Sequence, residues 1–220
     1  MLRFYYHPLS PIARRVWLVL LEKTLPFEPI VVNLNGEQLK PDFLALNPFH
    51  HVPVLVDGDL RILESAAIMD YLEAKYPEPS LMPKSPEAIA QTRMVQLVTM
   101  NELTTKLPAL VMAQVSETPD EETLQHVSKG FSFLQQQLGT VPYFGGDRLS
   151  LADITAGAAI ALMGRLGVSL ADVPALAAWH GRIAARPSWQ QTEPDAEAFG
   201  VWKRWVSLRV KRFQTRKARA

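Results

Sequence analysis

The sequence contains no cysteine. That excludes disulfides, a thiol nucleophile and cysteine-ligated metals. Histidine is scarce. His7, His50, His51, His126 and His180 show no metal-ligand spacing, so no metal is expected. His50 and His51 are adjacent, and on an extended segment their rings are expected to point opposite ways. No apolar run reaches the ~18 residues of a membrane span. The start, MLRFYYHPLSP, lacks the apolar core and cleavage site of a signal peptide. These absences predict a soluble, cytoplasmic protein. Of 220 residues, 48% are hydrophobic and 20% charged, which argues against wholesale disorder and allows one large or two small domains with real cores.

Acid is missing from one stretch. From Lys203 onward there are eight Lys or Arg and no acidic residue, whereas residues 1–202 carry 15 basic and 22 acidic ones, a net of −7. Within VWKRWVSLRVKRFQTRKARA (201–220), Trp202, Val206, Val210 and Phe213 fall at helical spacing. Such a segment suits an anionic membrane or nucleic acid. The simpler reading is preferred: a helix that packs its tryptophans on the body and ends in a basic tail, with neither membrane nor nucleic acid as partner.

What is present divides the chain in two. LRFYY (2–6) reads as a strand bounded by His-Pro. PIARRVWLVLLEK (11–23) puts Ile12, Val16, Val19 and Leu20 at helical spacing, with Pro11 in the first turn and Ser10 as N-cap. FEPIVVNL (27–34) reads as a second strand, followed by a polar loop, NGEQLKPD. VPVLVDGDLRILES (52–65) holds two strands around Asp57-Gly58, a hairpin signal. SAAIMDYLEAKYP (65–77) is an amphipathic helix stopped by Pro77. This order predicts an α/β domain with a mixed four-stranded sheet at 1–78. The proline-rich stretch 79–86 is a linker. Ser85-Pro86-Glu87 opens an all-helical domain, 87–213, with helices at 87–115, 120–138, 150–167, 174–185 and 198–213 and a basic tail at 214–220.

Several short motifs carry chemical meaning. Ser10 is an N-cap by its position, and the same geometry places a hydroxyl where helix dipole and free N–H groups favour an anion. No His/Asp relay accompanies it, so a hydrolase-type nucleophile is not expected. Val52-Pro53 opens a strand. If that bond is cis, Val52 turns its backbone groups outward, where a peptide ligand can pair with them. Leu63-Glu64-Ser65-Ala66 opens a helix and is either a cap or a socket for a zwitterion, with Ser65 and the helix N-terminus taking a carboxylate and Glu64 an ammonium. LSLADITAG (149–157) contains Ser150 and Asp153, a capping box, and Leu149 is placed to staple onto Ile154; this is a folding signal.

Taken together, these residues resemble the cytosolic glutathione transferase superfamily. The resemblance rests on S-P-x-x-R-R-V, N-P-x-x-x-V-P-x-L, x-E-S-x-A-I and S-x-A-D, in this order, from Leu2 to about Trp189. It implies a thioredoxin-like N-terminal domain, glutathione as co-substrate and a homodimer, with the Phe49-His50 loop as a key into the partner subunit. Ser10 falls where serine-type members hold the glutathione sulfur. His51, Val52 and Pro53 fall where the cysteinyl-glycine part binds, Glu64 and Ser65 where the γ-glutamyl end binds. Gln38 and Lys40 stand in the loop where many members carry a histidine and a lysine. Tyr5, Tyr6 and Arg14 are alternatives to Ser10 as the group that activates the thiol, and in the family pattern Arg15 is structural. Leu9, Ile12, Met100, Leu103, Thr104 and Leu107 would line the site for a small hydrophobic electrophile.

Without cysteine, the sulfur must arrive with the ligand. A free thiol ionises near pH 8.5 and a working nucleophile needs about two units less, roughly 3 kcal/mol. One hydrogen bond to a charged acceptor supplies about 1.5–3 kcal/mol and a helix N-terminus about 0.3–1. The expected activity is conjugation. A glutathione-dependent isomerase, a peroxidase and a non-catalytic interaction module are the alternatives.

Overall fold

The computed structural model describes residues 1–118 and 120–217, and the side chains of all of these but 213, 214, 216 and 217. The chain begins with β1 (Leu2–Tyr6), α1 (Pro11–Glu22) and β2 (Phe27–Val31). A 3-10 turn and α2 (Pro41–Leu46) follow, then β3 (Val54–Asp57), β4 (Leu60–Leu63) and α3 (Ser65–Lys75). The sheet runs β2-β1-β3-β4, with β1 parallel to β2 and antiparallel to β3. Pro29 sits in β2, at the edge, where its missing N–H breaks no ladder. The β3–β4 hairpin pairs Asp57 with Leu60 around Gly58, whose φ of +59° suits a two-residue turn. This is a thioredoxin-like unit, and a helical domain follows it.

That domain comprises α4 (Pro86–Val98), α5 (Leu107–Ser116), α6 (Glu121–Leu138), α7 (Leu151–Arg165), α8 (Pro174–Ala184), α9 (Pro187–Thr192) and α10 (Ala196–Lys217). The single helix expected over 87–115 is broken. A π turn at Thr99–Leu103 and a 3-10 turn at Thr104–Lys106 separate α4 from α5. Pro108, in the first turn of α5, has no N–H and would clash with the carbonyl of Thr104 in a continuous helix. α2 and α9 are also additions. Both open on a proline, a start signal that the loop reading of 35–42 and the gap left between 185 and 198 passed over. α10 is longer than expected. The tail position 215 is still helical, and residues 218–220 lie outside the described residues.

The capping box forms as expected. Asp153, fully buried, accepts from Ser150 N at 2.7 Å and Ser150 Oγ at 2.6 Å, and also from Phe144 N at 2.9 Å and Trp179 Nε1 at 2.8 Å. It thus ties α7 to α8 as well as capping α7. The two halves of the chain are joined along α1. Arg186 and Ser188 both bond Glu22 at the end of α1, and α1 packs on α7. No helix among the described residues is long and apolar enough to cross a membrane.

Candidate functional site

Ser10 is half-buried at the mouth of α1. Its backbone is extended (φ −83°, ψ 111°) and its Oγ accepts from Ala13 N at 3.2 Å. The cap uses an oxygen lone pair and leaves the O–H proton to donate. α1 has no acidic residue in its first turn, whereas α4 and α6 do. The positive end of α1 is therefore not neutralised by its own helix.

The Val52–Pro53 bond is cis. Val52 leads into β3, and the carbonyl of His51 is held by Asn47 Nδ2 at 2.8 Å. His51 is exposed. Burial of its ring first, then the neighbouring His50 and the cation of Arg209 in α10, hold its pKa below the ordinary imidazole value, against the pull of Glu64. The two histidine rings do not point opposite ways. They meet edge-to-face at 5.1 Å, because His50 takes a left-handed φ of +50° and the segment is not extended there.

Glu64 carries φ +66°, an unusual value for a residue with a Cβ. It delivers Ser65 to the first position of α3, another helix with no acid in its first turn. Ser65 is 1% exposed and its Oγ has no hydrogen-bond partner. A buried hydroxyl at a helix N-terminus without a partner is the kind of group an incoming carboxylate satisfies. Glu64 itself is exposed.

The chain belongs to the glutathione transferase family. Residues 4–80 match the family model described as glutathione S-transferase, N-terminal domain, and residues 98–187 match the corresponding C-terminal domain. A zeta-class glutathione S-transferase of Euphorbia esula is 34% identical over 205 residues, covering 89% of this chain and 91% of that protein. Glutathione S-transferase F10 of Arabidopsis thaliana is 33% identical over 201 residues, covering 84% and 94%. The solved structure of a delta-class glutathione transferase from Nilaparvata lugens superposes with a TM-score of 0.82 at 26% identity, covering 94% of this chain and 100% of that one.

In this family member the other side chains singled out in the sequence have different surroundings. Gln38 bonds inside its own loop, to Leu34 O at 2.9 Å and from Gly36 N at 3.0 Å, while Lys40 is exposed. Tyr6 stacks on Phe4 at 4.8 Å and meets Trp17 tilted at 5.0 Å in the core, and burial raises its pKa; Tyr5 is half-buried. Arg14 is occupied. It forms an ion pair with Glu193 at 2.6 Å and bonds Thr192 Oγ1 and the Trp189 carbonyl. Arg15, read as the structural one, is the less satisfied. It is 2% exposed, donates to Thr104 Oγ1 at 2.7 Å and leaves Nε without a partner. Burial pushes its pKa down to about 10.

The expected electrophile site is brought together only in part. Ile12 is exposed at 41% and Leu9, Met100 and Thr104 are half-buried. Leu103 and Leu107 are 0% and 4% exposed and belong to the helical core. Leu103 fills the space left by the missing side chain of Gly130 on α6. Instead, Leu9, Ser10, Pro11 and Arg14 share a recess with Leu162, Arg165, Glu193, Phe199 and Trp202. The last five come from α7, the turn after α9, and α10. Sequence spacing carried no signal for them, because they reach Ser10 only through the packing of the last helices on α1.

Proposed function

We propose that this protein binds glutathione on its N-terminal domain, keeps the thiol ionised at Ser10, and transfers it to small hydrophobic electrophiles. The observation that carries the reading is the Ser10 hydroxyl. Its oxygen caps α1 by accepting from Ala13 N, its proton is left to donate, and it opens on an apolar-walled recess. A donor aimed at the developing charge, at the positive end of a helix, lowers the pKa of a bound thiol by stabilising thiolate over thiol.

The rest of the tripeptide has receptors at the right ends. Val52 beside cis-Pro53 and the exposed His51 would hold the cysteinyl-glycine part, and Lys40 its terminal carboxylate. Ser65 with the N-terminus of α3 would take the γ-glutamyl carboxylate, and Glu64 its ammonium group. The glycyl end is the weakest, since Gln38 is spent on its own loop. A homodimer built around the exposed Phe49 is part of this reading.

Titration calorimetry with glutathione and with S-hexylglutathione, followed by a conjugation assay with an aryl halide, tests it. Micromolar to millimolar binding with turnover is expected. Absence of binding to either ligand would contradict the reading and favour an interaction module. Binding without conjugation, but with cis-enone isomerisation or hydroperoxide reduction, would redirect it to the isomerase or peroxidase alternative.

A further inference from the structure

Past α9 the chain turns through Glu193, Pro194 and Asp195 before α10 begins. Two arginines from distant elements hold that turn. Arg14 of α1 meets Glu193 at 2.6 Å and bonds Thr192 Oγ1 at 3.1 Å and the Trp189 carbonyl at 3.2 Å. Arg165, the last residue of α7, meets the same carboxylate at 3.0 Å and donates to the carbonyls of Pro194 at 2.5 Å and Asp195 at 3.0 Å. Its guanidinium also lies 4.0 Å over the Phe199 ring. Phe199 in turn stacks on Trp202, centroids 5.7 Å apart and planes 17° from parallel. Both aromatics are nearly buried and wall the recess that Ser10 opens on.

The dimensions of that recess give the arrangement its consequence. It holds about 20 Å³, room for about one water molecule, and Phe199 and Trp202 of α10 form one side of it, opposite Leu9 and Ser10. The start of α10 follows the turn, which Arg14 and Arg165 hold through the Thr192 hydroxyl and the carbonyls of Trp189, Pro194 and Asp195, and the partly exposed Glu193 carboxylate is the one group that both guanidinium groups share. Arg14 belongs to the same helix that Ser10 caps. The wall and the thiol-activating end of α1 are therefore referenced to each other through Glu193.

We propose that Glu193 is a positioning residue: bridging Arg14 and Arg165, it latches the first turns of α10 so that Phe199 and Trp202 set the size of electrophile admitted beside Ser10. The inference rests on the transfer reading above. The latch acts on the electrophile, and none of Val52, Glu64 or Ser65 is bonded to it among the described residues.

The test uses the full chain and Glu193→Gln, which keeps the side-chain volume and removes the charge. Amide hydrogen exchange over residues 196–202 reads the latch directly, and steady-state kinetics with 1-chloro-2,4-dinitrobenzene and the larger 1-chloro-2,4-dinitronaphthalene read its effect. The expected result is at least tenfold faster exchange in that segment, at least a fivefold higher KM for the smaller halide, a weaker preference for it over the larger one, and a KM for glutathione within twofold of wild type. Phe199→Leu, with both ion pairs intact, is expected to raise the same halide KM without the gain in exchange. Unchanged exchange in Glu193→Gln, or KM values for halide and glutathione that rise together, would overturn the proposal. A wild type that conjugates neither halide defeats the transfer reading, and the exchange measurement still decides the latch.

Discussion

Glu64, with its φ of +66°, hands Ser65 into the first turn of α3 as a buried hydroxyl that bonds to nothing among the described residues. Such an unsatisfied buried group costs about 1–3 kcal/mol, a cost that an incoming carboxylate at the N-terminus of α3 would remove. Ser65→Ala is therefore expected to leave stability within about 0.5 kcal/mol of wild type. It should weaken glutathione binding by about 10- to 150-fold, the worth of one hydrogen bond to a charged acceptor. Calorimetry and thermal unfolding on the same samples check both halves. Lost stability with unchanged affinity would make Ser65 a folding residue.

Lys23 makes the opposite kind of contact. Its fully buried ammonium meets Glu73 at 2.7 Å and the carbonyls of Tyr76 and Pro79 at 2.7 Å each. That ties the end of α1 to α3 and the linker. Lys23→Met leaves two carbonyls without their donor and a carboxylate with a 13% exposed side chain without its countercharge, held only by Ser80 Oγ and Leu81 N among the described residues. The expected loss is about 3–5 kcal/mol, the usual cost of breaking a buried pair from one side. Adding Glu73→Gln, which removes the charge and keeps an acceptor for Ser80 Oγ and Leu81 N, should recover part of it. Urea unfolding of both variants measures the difference.

Glu22 supplies the pH dependence. Burial pushes its carboxyl up, but Arg186 and then Ser188 outweigh that and hold it below the usual carboxylate range. A depressed folded-state pKa stabilises the fold above the unfolded value, near 4.3, and the contribution disappears as pH falls through the folded value. Glu22→Gln should therefore cost about 1–3 kcal/mol at pH 7 and progressively less below pH 4. Urea midpoints of the two proteins that run parallel down to pH 3 would contradict this.

How much of this was legible in the sequence depended on how local the determinant is. The β-α-β-β-α order, the Gly58 hairpin, the Ser10 cap and the Ser150/Asp153 box all rest on residues within a few positions of each other. They came through in the reading. Pro108 announced the break before α5, but the apolar periodicity on both sides masked it. The burial of Leu103 could not be read, because it depends on a glycine in another helix. The surroundings of Arg14 and Arg15 could not be read for the same reason. Glu193 and Trp189, some 175 residues away, occupy Arg14, and no carboxylate reaches Arg15 among the described residues. The wall at Phe199 and Trp202 belongs to this class too.

The central claim is that a chain without cysteine borrows a sulfur and keeps it ionised at Ser10. Difference absorbance of glutathione-saturated protein near 240 nm, titrated with pH, measures that ionisation directly. With the wild type, the bound thiol should ionise about two units below the free value of ~8.5. With Ser10→Ala it should return by at least one unit while glutathione remains bound. A Ser10→Ala protein that holds the thiolate as well as the wild type does would contradict the account.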